Sequence, residues 1–242
     1  MRPCTPLFLS LMFLSPACSG PIQLAPRGDL VEDYHGTKVP APYRWLEDDD
    51  APETRAFVVT QNARTRAWLD ASPERPRIVE RLTALWNHPR VSAPGKRGGR
   101  YFFSRNDGLQ NQSLLYMQES LDAPPRVILD PNTLSDDGTV ALSGGAVSRD
   151  GKMLAWGISV HGSDRQEFKL RDLDSLTDLP ETIRWCRFTS IAWRDDGAGF
   201  FYNRFPEPGT VPPEDETKHS SVWWHAVGTD QAWDLKVLDR AD

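Results

Sequence analysis

Cysteine is scarce in this chain. Three occur in 242 residues, at positions 4, 18 and 186. Only Cys186 lies far from the start, so the body of the chain has no disulfide framework. Cys186 reads instead as a small buried hydrophobe. Basic charge is also in deficit. Twenty-eight Lys and Arg against thirty-four Asp and Glu leave a net charge of −6, which removes the electrostatic case for nucleic acid. Long runs of one charge are missing. The longest, Glu47-Asp48-Asp49-Asp50, reads as a solvated turn, and it lacks the Gly and terminal Glu of a calcium loop. No metal or cofactor site is expected. Long apolar runs are missing too. Leu7 to Leu14, broken by Ser10, is too short to span a membrane.

Aromatics, proline and glycine are plentiful. Nine Trp and ten Phe stand against four Met, with twenty Pro and seventeen Gly. Aromatic rings fit the half-buried surface of a sheet, and Pro and Gly fit its turns. With 39% hydrophobic and 26% charged residues the chain can bury a sizeable core.

The start reads as a targeting segment over residues 1–19. Arg2 is followed by the short apolar run and by Ser15-Pro16-Ala17, small residues suited to cleavage. Cys18, after Leu14-Ser15-Pro16-Ala17, loosely resembles the cysteine of a bacterial lipoprotein signal and is a candidate lipidation site. The expectation is an exported chain, periplasmic or secreted, with a lipid anchor as an option. Gly20 to Arg27 reads as a linker. The Pro-rich segment from Asp33 to Leu46 predicts an extended arm, because proline removes donors and fixes φ. Pro52 at a first helical position, with Asp50 before it as a cap, predicts a helix on which Ala56, Val59, Ala63, Ala67 and Trp68 recur. A second helix is predicted over Arg75 to Trp86 with Ile78, Leu82 and Leu85 as its stripe, stopped by Pro89.

From Val91 onward the period changes from helical to alternating. Gly98-Gly99-Arg100 leads into Tyr101-Phe102-Phe103; Asp150-Gly151-Lys152 leads into Met153-Leu154-Ala155-Trp156; Asp196-Gly197-Ala198-Gly199 leads into Phe200-Phe201-Tyr202. Gly151 and Gly197 lie 46 residues apart, close to one propeller blade. Strands are predicted near 100–105, 113–118 and 126–129; near 140–148, 152–159, 167–172 and 182–186; and near 188–194, 199–204, 221–226 and 233–238. The fold class expected is mainly β: about three four-stranded antiparallel blades of a partial β-propeller over 89–242, preceded by an arm and two helices over 20–88. Three blades do not close a ring, so the chain is expected to belong to a longer protein. Residues 206–219 form a long polar loop, an insertion or the edge of a lid.

Several blocks in collinear order resemble the prolyl oligopeptidase family. They are Asp33-Tyr34-His35-Gly36 with Pro42-Tyr43-Arg44-Trp45-Leu46-Glu47-Asp48; Thr54-Arg55-Ala56-Phe57-Val58; Gly108-Leu109-Gln110-Asn111-Gln112; Leu129-Asp130-Pro131-Asn132 with Asp136-Asp137-Gly138-Thr139-Val140; Phe200-Phe201-Tyr202-Asn203; and Gly228-Thr229-Asp230-Gln231. The resemblance covers about residues 33–242. It implies a serine endopeptidase that cleaves short peptides after proline, in which a seven-bladed propeller covers an α/β-hydrolase domain. It also implies that residues 28–88 pack on that domain as a partner, and that short proline-containing peptides are the substrates. The family's nucleophile sits in a Gly-x-Ser-x-Gly elbow. No serine here has Gly at both flanking positions; Ser143-Gly144-Gly145 and Gly162-Ser163 come nearest. No catalytic residue is therefore assigned, none of the five His reads as a base, and the chain is expected to be inactive alone.

By resemblance, Phe188 contributes to an apolar substrate pocket; from its own residue type it reads as a blade-core ring. Trp156 and Trp193 read as packing between blades. Adjacent Trp223 and Trp224 should place their rings on opposite faces. Two alternatives to an enzyme portion are a peptide-binding propeller without catalysis and a related oligopeptidase with basic specificity. The Leu-Gln-Asn-Gln and Asp-Asp-Gly-Thr-Val blocks weigh against the latter. Open blade ends predict an isolated chain prone to aggregation.

Overall fold

The computed structural model describes residues 24–239. The predicted targeting segment and Cys18 lie outside the described residues. Contacts divide the chain into two compact units between Ala84 and Leu85. Among the described residues no helix is long and apolar enough to cross a membrane.

In the first unit the Pro-rich arm is extended but folds back on itself. Strands β1 (Val31–Tyr34) and β2 (Thr37–Pro40) pair antiparallel. Their two-residue turn, His35-Gly36, has φ of 54° and 90°, the geometry that twisted hairpins require. Asp33 Oδ1 accepts from the Gly36 amide at 2.6 Å and fixes that turn. Arg44–Glu47 then makes one turn of 3-10 helix, which corrects the purely extended reading. Helix α1 (Pro52–Asp70) begins at Pro52 as expected, but its N-cap is Ala51, with no side-chain cap. Asp48 fixes the turn that leads into the helix: its Oδ1 accepts from the amides of Asp50 (3.0 Å) and Ala51 (3.2 Å). The predicted cap, Asp50, is drawn off by an ion pair with Arg55. The inward face of α1 centres on Thr54, whose hydroxyl donates to Trp45 O at 2.9 Å, and on Phe57, edge-on to Trp45 at 5.7 Å. Val59 and Trp68 of the expected stripe are exposed. Helix α2 (Arg75–Trp86) runs as predicted, and Ile78, Leu82 and Leu85 are 49%, 49% and 50% exposed.

The second unit consists of three antiparallel sheets in chain order. In the first, β5 (Arg100–Asn106), β6 (Leu114–Gln118) and β7 (Arg126–Leu129) match the expected strands. Two short strands, β3 (Arg90–Val91) and β4 (Gly95–Arg97), share the fourth place and both pair with β5. The second sheet is β8 (Val140–Val147), β9 (Met153–Val160), β10 (Arg165–Asp172) and β11 (Asp178–Arg187). The third is β12 (Ala192–Trp193), β13 (Gly199–Arg204), β14 (Ser221–Ala226) and β15 (Leu235–Asp239). In the second and third sheets each neighbour in sequence is a neighbour in the sheet, and in the first the same holds from β4 to β7, the four-stranded meander of a propeller blade.

Two cores fill the spaces between these sheets. One joins Met117, Ile128 and Leu129 of the first to Leu154, Trp156 and Leu173 of the second. The other joins Phe168, Leu170, Ile183 and Cys186 of the second to Phe200 and Tyr202 of the third, with Trp193 against it. The Trp193 indole N–H donates to Ala146 O at 2.9 Å, so both predicted inter-blade tryptophans take that role. Each fully buried ring or aliphatic side chain contributes about 1.5–3 kcal/mol, and most of the fold's apolar burial therefore lies between blades. Polar clamps add direction. Arg100 donates to Gly151 O (3.1 Å) and pairs with Asp174 (2.5 Å). Arg171 donates to Ile128 O (2.6 Å). Gln231 exchanges both bonds with the Arg184 backbone (3.0 and 3.1 Å). The repeat is visible in the turns as well: Arg149 and Asp195, equivalent positions of adjacent blades, pair at 2.6 Å.

Candidate functional site

The connection from β11 to β12 crosses from the outer edge of one blade to the inner edge of the next. It begins with Phe188, a non-glycine residue at φ 48°. The left-handed region disfavours a residue with a Cβ by roughly 1–2 kcal/mol, so the surroundings must enforce it. The Thr189 amide donates to Gln166 Oε1 (2.8 Å) and the Thr189 hydroxyl to Asn203 O (2.7 Å). Gln166 Nε2 in turn donates to Ser143 O (3.1 Å). On the other side, Arg187 pairs with Asp164 at 3.2 Å. Inner strand, third strand and following blade thus hold the residue after Phe188. The Phe188 ring itself is 81% exposed. A blade-core role for Phe188 is removed by that exposure.

The remaining chemistry-bearing residues are accounted for locally. Cys186 is fully buried, and burial pushes its thiol up to about 12, so it is no nucleophile. His88 Nδ1 is 2.9 Å from Leu85 O at the end of α2. His35 and His161 sit at positive φ in turns, and His219 at positive φ in the irregular segment before β14. His225 is buried on β14 with Nδ1 2.7 Å from Asp234 Oδ1. The Tyr202 hydroxyl donates to Asp234 Oδ2 at 2.7 Å, and burial, then the Asp234 carboxylate, push that phenol well above its usual range. Among the described residues no histidine bonds to a serine or cysteine, so no nucleophile–base pair is assembled. Nor do three His, Cys, Asp or Glu side chains gather among them. Asp136-Asp137 and Asp195-Asp196 serve their turns: Asp137 accepts from the Thr139 hydroxyl and amide, and Asp196 from Arg194 and the Ala198 amide. Trp223 and Trp224 do face opposite ways. Trp223 stacks under Arg204, and Trp224 lies against Phe201 and Arg194.

Sequence reasoning missed the support around Phe188. Gln166 falls just outside the strand predicted near 167–172, and nothing in its neighbours marks a side chain bonded at both ends. A cavity of roughly 630 Å³ at the inner strands, against Lys96, Arg97, Arg149 and Trp193, was also not anticipated.

Comparison with known proteins agrees with this architecture. The family described as the prolyl oligopeptidase N-terminal β-propeller domain matches residues 24–242. A prolyl endopeptidase of Elizabethkingia meningoseptica is 38% identical over 209 residues, 86% of this chain and 29% of that protein. Prolyl oligopeptidase A of Galerina marginata is 34% identical over 245 residues, 88% of this chain and 33% of that protein. Among solved structures, a chain from a study of two prolyl endopeptidases superposes with a TM-score of 0.81 at 31% identity, covering 91% of this chain and 33% of that one. Prolyl oligopeptidase B from Galerina marginata, bound to a 35mer hydrolysis and macrocyclization substrate, gives 0.72 at 28% identity, covering 90% and 34%. The chain spans about a third of the length of these relatives. With a partial propeller of three inter-packed blades behind it, this chain belongs to the prolyl oligopeptidase family, in its N-terminal β-propeller domain.

Proposed function

We propose that this chain is the peptide-selecting portion of a prolyl oligopeptidase, a serine endopeptidase that cleaves short peptides after proline. The observation that carries the reading is Phe188: a ring 81% exposed, on a left-handed backbone, held by bonds from three strands or connections. Such a ring can pack on the residue upstream of a proline and bury apolar area there. The nucleophile and its base belong, in this reading, to a hydrolase domain that acts as partner. The half-exposed stripe Ile78, Leu82 and Leu85 of α2 supports a partner surface for the helical unit. The N-terminal residues are proposed to direct export.

Two measurements test this. The purified 242-residue chain should not hydrolyse a Gly-Pro reporter, and serine-dependent turnover would overturn the division of roles. Binding of a benzyloxycarbonyl-Gly-Pro peptide to the same chain should weaken several-fold in Phe188→Ala and survive in Phe188→Tyr. Equal binding by Phe188→Ala would remove Phe188 from the site.

A further inference from the structure

The outer ends of β11, β14 and β15, with the chain just after β13, enclose a cavity of roughly 440 Å³. That volume lies within the usual span for small-molecule sites of about 300–1,000 Å³. Trp185, Trp223 and Phe205 form its apolar wall. Arg204 lies on the same wall, its guanidinium carbon 3.5 Å from the Trp223 ring centre and 5.2 Å from that of Trp185. Indole faces attract the cation but accept none of its N–H bonds in the guanidinium plane. Among the described residues the Arg204 side chain makes no hydrogen bond or ion pair, and its Nη1 is buried without an acceptor. Glu207 lines the same cavity, and among the described residues its carboxylate also has no hydrogen-bond or ion-pair partner. The other charged pair on the wall, Lys236 and Asp239, neutralises itself at 2.9 Å.

One cavity therefore carries a partly buried cation without an acceptor and, on its exposed side, the solvated carboxylate of Glu207, which do not pair with each other, beside an indole wall. A lone anion would be repelled by Glu207 and a lone cation by Arg204. A ligand that carries both charges satisfies both. We propose that this cavity binds a short zwitterionic peptide, with its carboxylate on Arg204, its ammonium on Glu207 and an apolar side chain on Trp185 and Trp223. The planar guanidinium fork matches a carboxylate edge-on along Nε and Nη2, the edge away from the buried Nη1. This site does not depend on the role given to Phe188.

The test is a tryptophan-fluorescence titration of the 242-residue chain with three probes: Gly-Phe, N-acetyl-Gly-Phe and Gly-Phe amide. Gly-Phe is expected to give a saturable change. The amide, which lacks the carboxylate, should bind at least tenfold more weakly, and the acetylated peptide several-fold more weakly. Arg204→Gln should erase the preference for acid over amide. Glu207→Gln, on an exposed side chain, should erase the preference for free over acetylated amine and leave folding intact. Should Arg204→Gln fail to fold by circular dichroism, the Glu207→Gln result decides. Equal affinity for acid and amide, an unchanged amine preference in Glu207→Gln, or displacement of Gly-Phe by an equal concentration of inorganic phosphate would each overturn the proposal.

Discussion

Gly98 and Gly99 are adjacent, both have positive φ (53° and 87°), and the structure separates their roles sharply. A Cβ built on Gly98 would stand 1.7 Å from Asp150 O, whereas one on Gly99 meets nothing within 4 Å. Alanine at either position loses the glycine's freedom at positive φ, a penalty of about 1–2 kcal/mol. Gly98→Ala must in addition push the first blade's turn away from the second's. The second turn has no slack to give, because a Cβ on Gly151 would itself lie 2.7 Å from Arg97 O. Overpacking of this kind adds about 1–3 kcal/mol. Gly98→Ala should therefore destabilise by about 2–5 kcal/mol in total, and Gly99→Ala by about 1–2 kcal/mol. Urea denaturation followed by tryptophan emission reads the difference, since Trp156 and Trp193 report from the two inter-blade cores. Equal midpoints for the two variants would mean that the blades do not meet at these turns, and the packing argument for a propeller would fall with it.

Other consequences can be measured on the same chain. Exposed stripe positions on α2 should drive the isolated chain to self-associate, and Ile78→Glu with Leu82→Lys should then raise the monomer fraction in sedimentation without lowering the midpoint by more than about 0.5 kcal/mol; loss of folding instead would show the stripe already buried. Cys186 should resist a thiol reagent at pH 8 until the chain unfolds, and fast labelling of the native chain would contradict its burial. The same thiol gives a stability slope. Its folded value is raised from 9.0 to about 12, so the folded state holds the proton longer than the unfolded one. Its contribution is complete below pH 9 and is lost as pH rises toward 12. Cys186→Ala should flatten that decline between pH 9 and 10, and an unchanged slope would assign it elsewhere. Trp193→Phe removes the bond to Ala146 O and should lower stability by about 1–2 kcal/mol, seen as a lower urea midpoint.

The repeat was legible because its signal is local. Asp-Gly before an aromatic strand at 150–151 and 196–197 specifies a turn by glycine's access to positive φ, and the strands that follow declare themselves by alternation. The two helices were legible from their ends, where Pro52 opens the first and Pro89 stops the second, but the stripe expected on α1 (Ala56, Val59, Ala63, Ala67 and Trp68) is exposed throughout and its inward face is set by Thr54 instead. The cap of α1 was misread because two aspartates compete. Asp50 sits nearer Pro52, but Arg55 engages it, and Asp48 is taken up by the turn before the helix, so neither caps the first turn. The hairpin of the arm was hidden by its prolines, which suppress strand propensity while leaving His35-Gly36 free to turn.

The candidate sites were illegible for a further reason. Phe188 and Trp185 adopt φ of 48° and 60°, yet neither is the glycine or asparagine that normally marks such a position. Their conformation is imposed from outside the segment. Gln166 reaches Thr189 from 23 residues away and Gln231 grips the Arg184 backbone from 47 residues away. A left-handed aromatic is then stable only while both neighbouring blades are docked. The exposed ring of Phe188 and the indole wall at Trp185 should therefore lose their geometry together when the contact between the second and third blades is broken. A disruption such as Phe200→Ala, in the core between these two blades, should abolish the Gly-Phe response and weaken Gly-Pro peptide binding in parallel, at an α-helix content unchanged by circular dichroism. Loss of one without the other would show that the two sites are held by separate means.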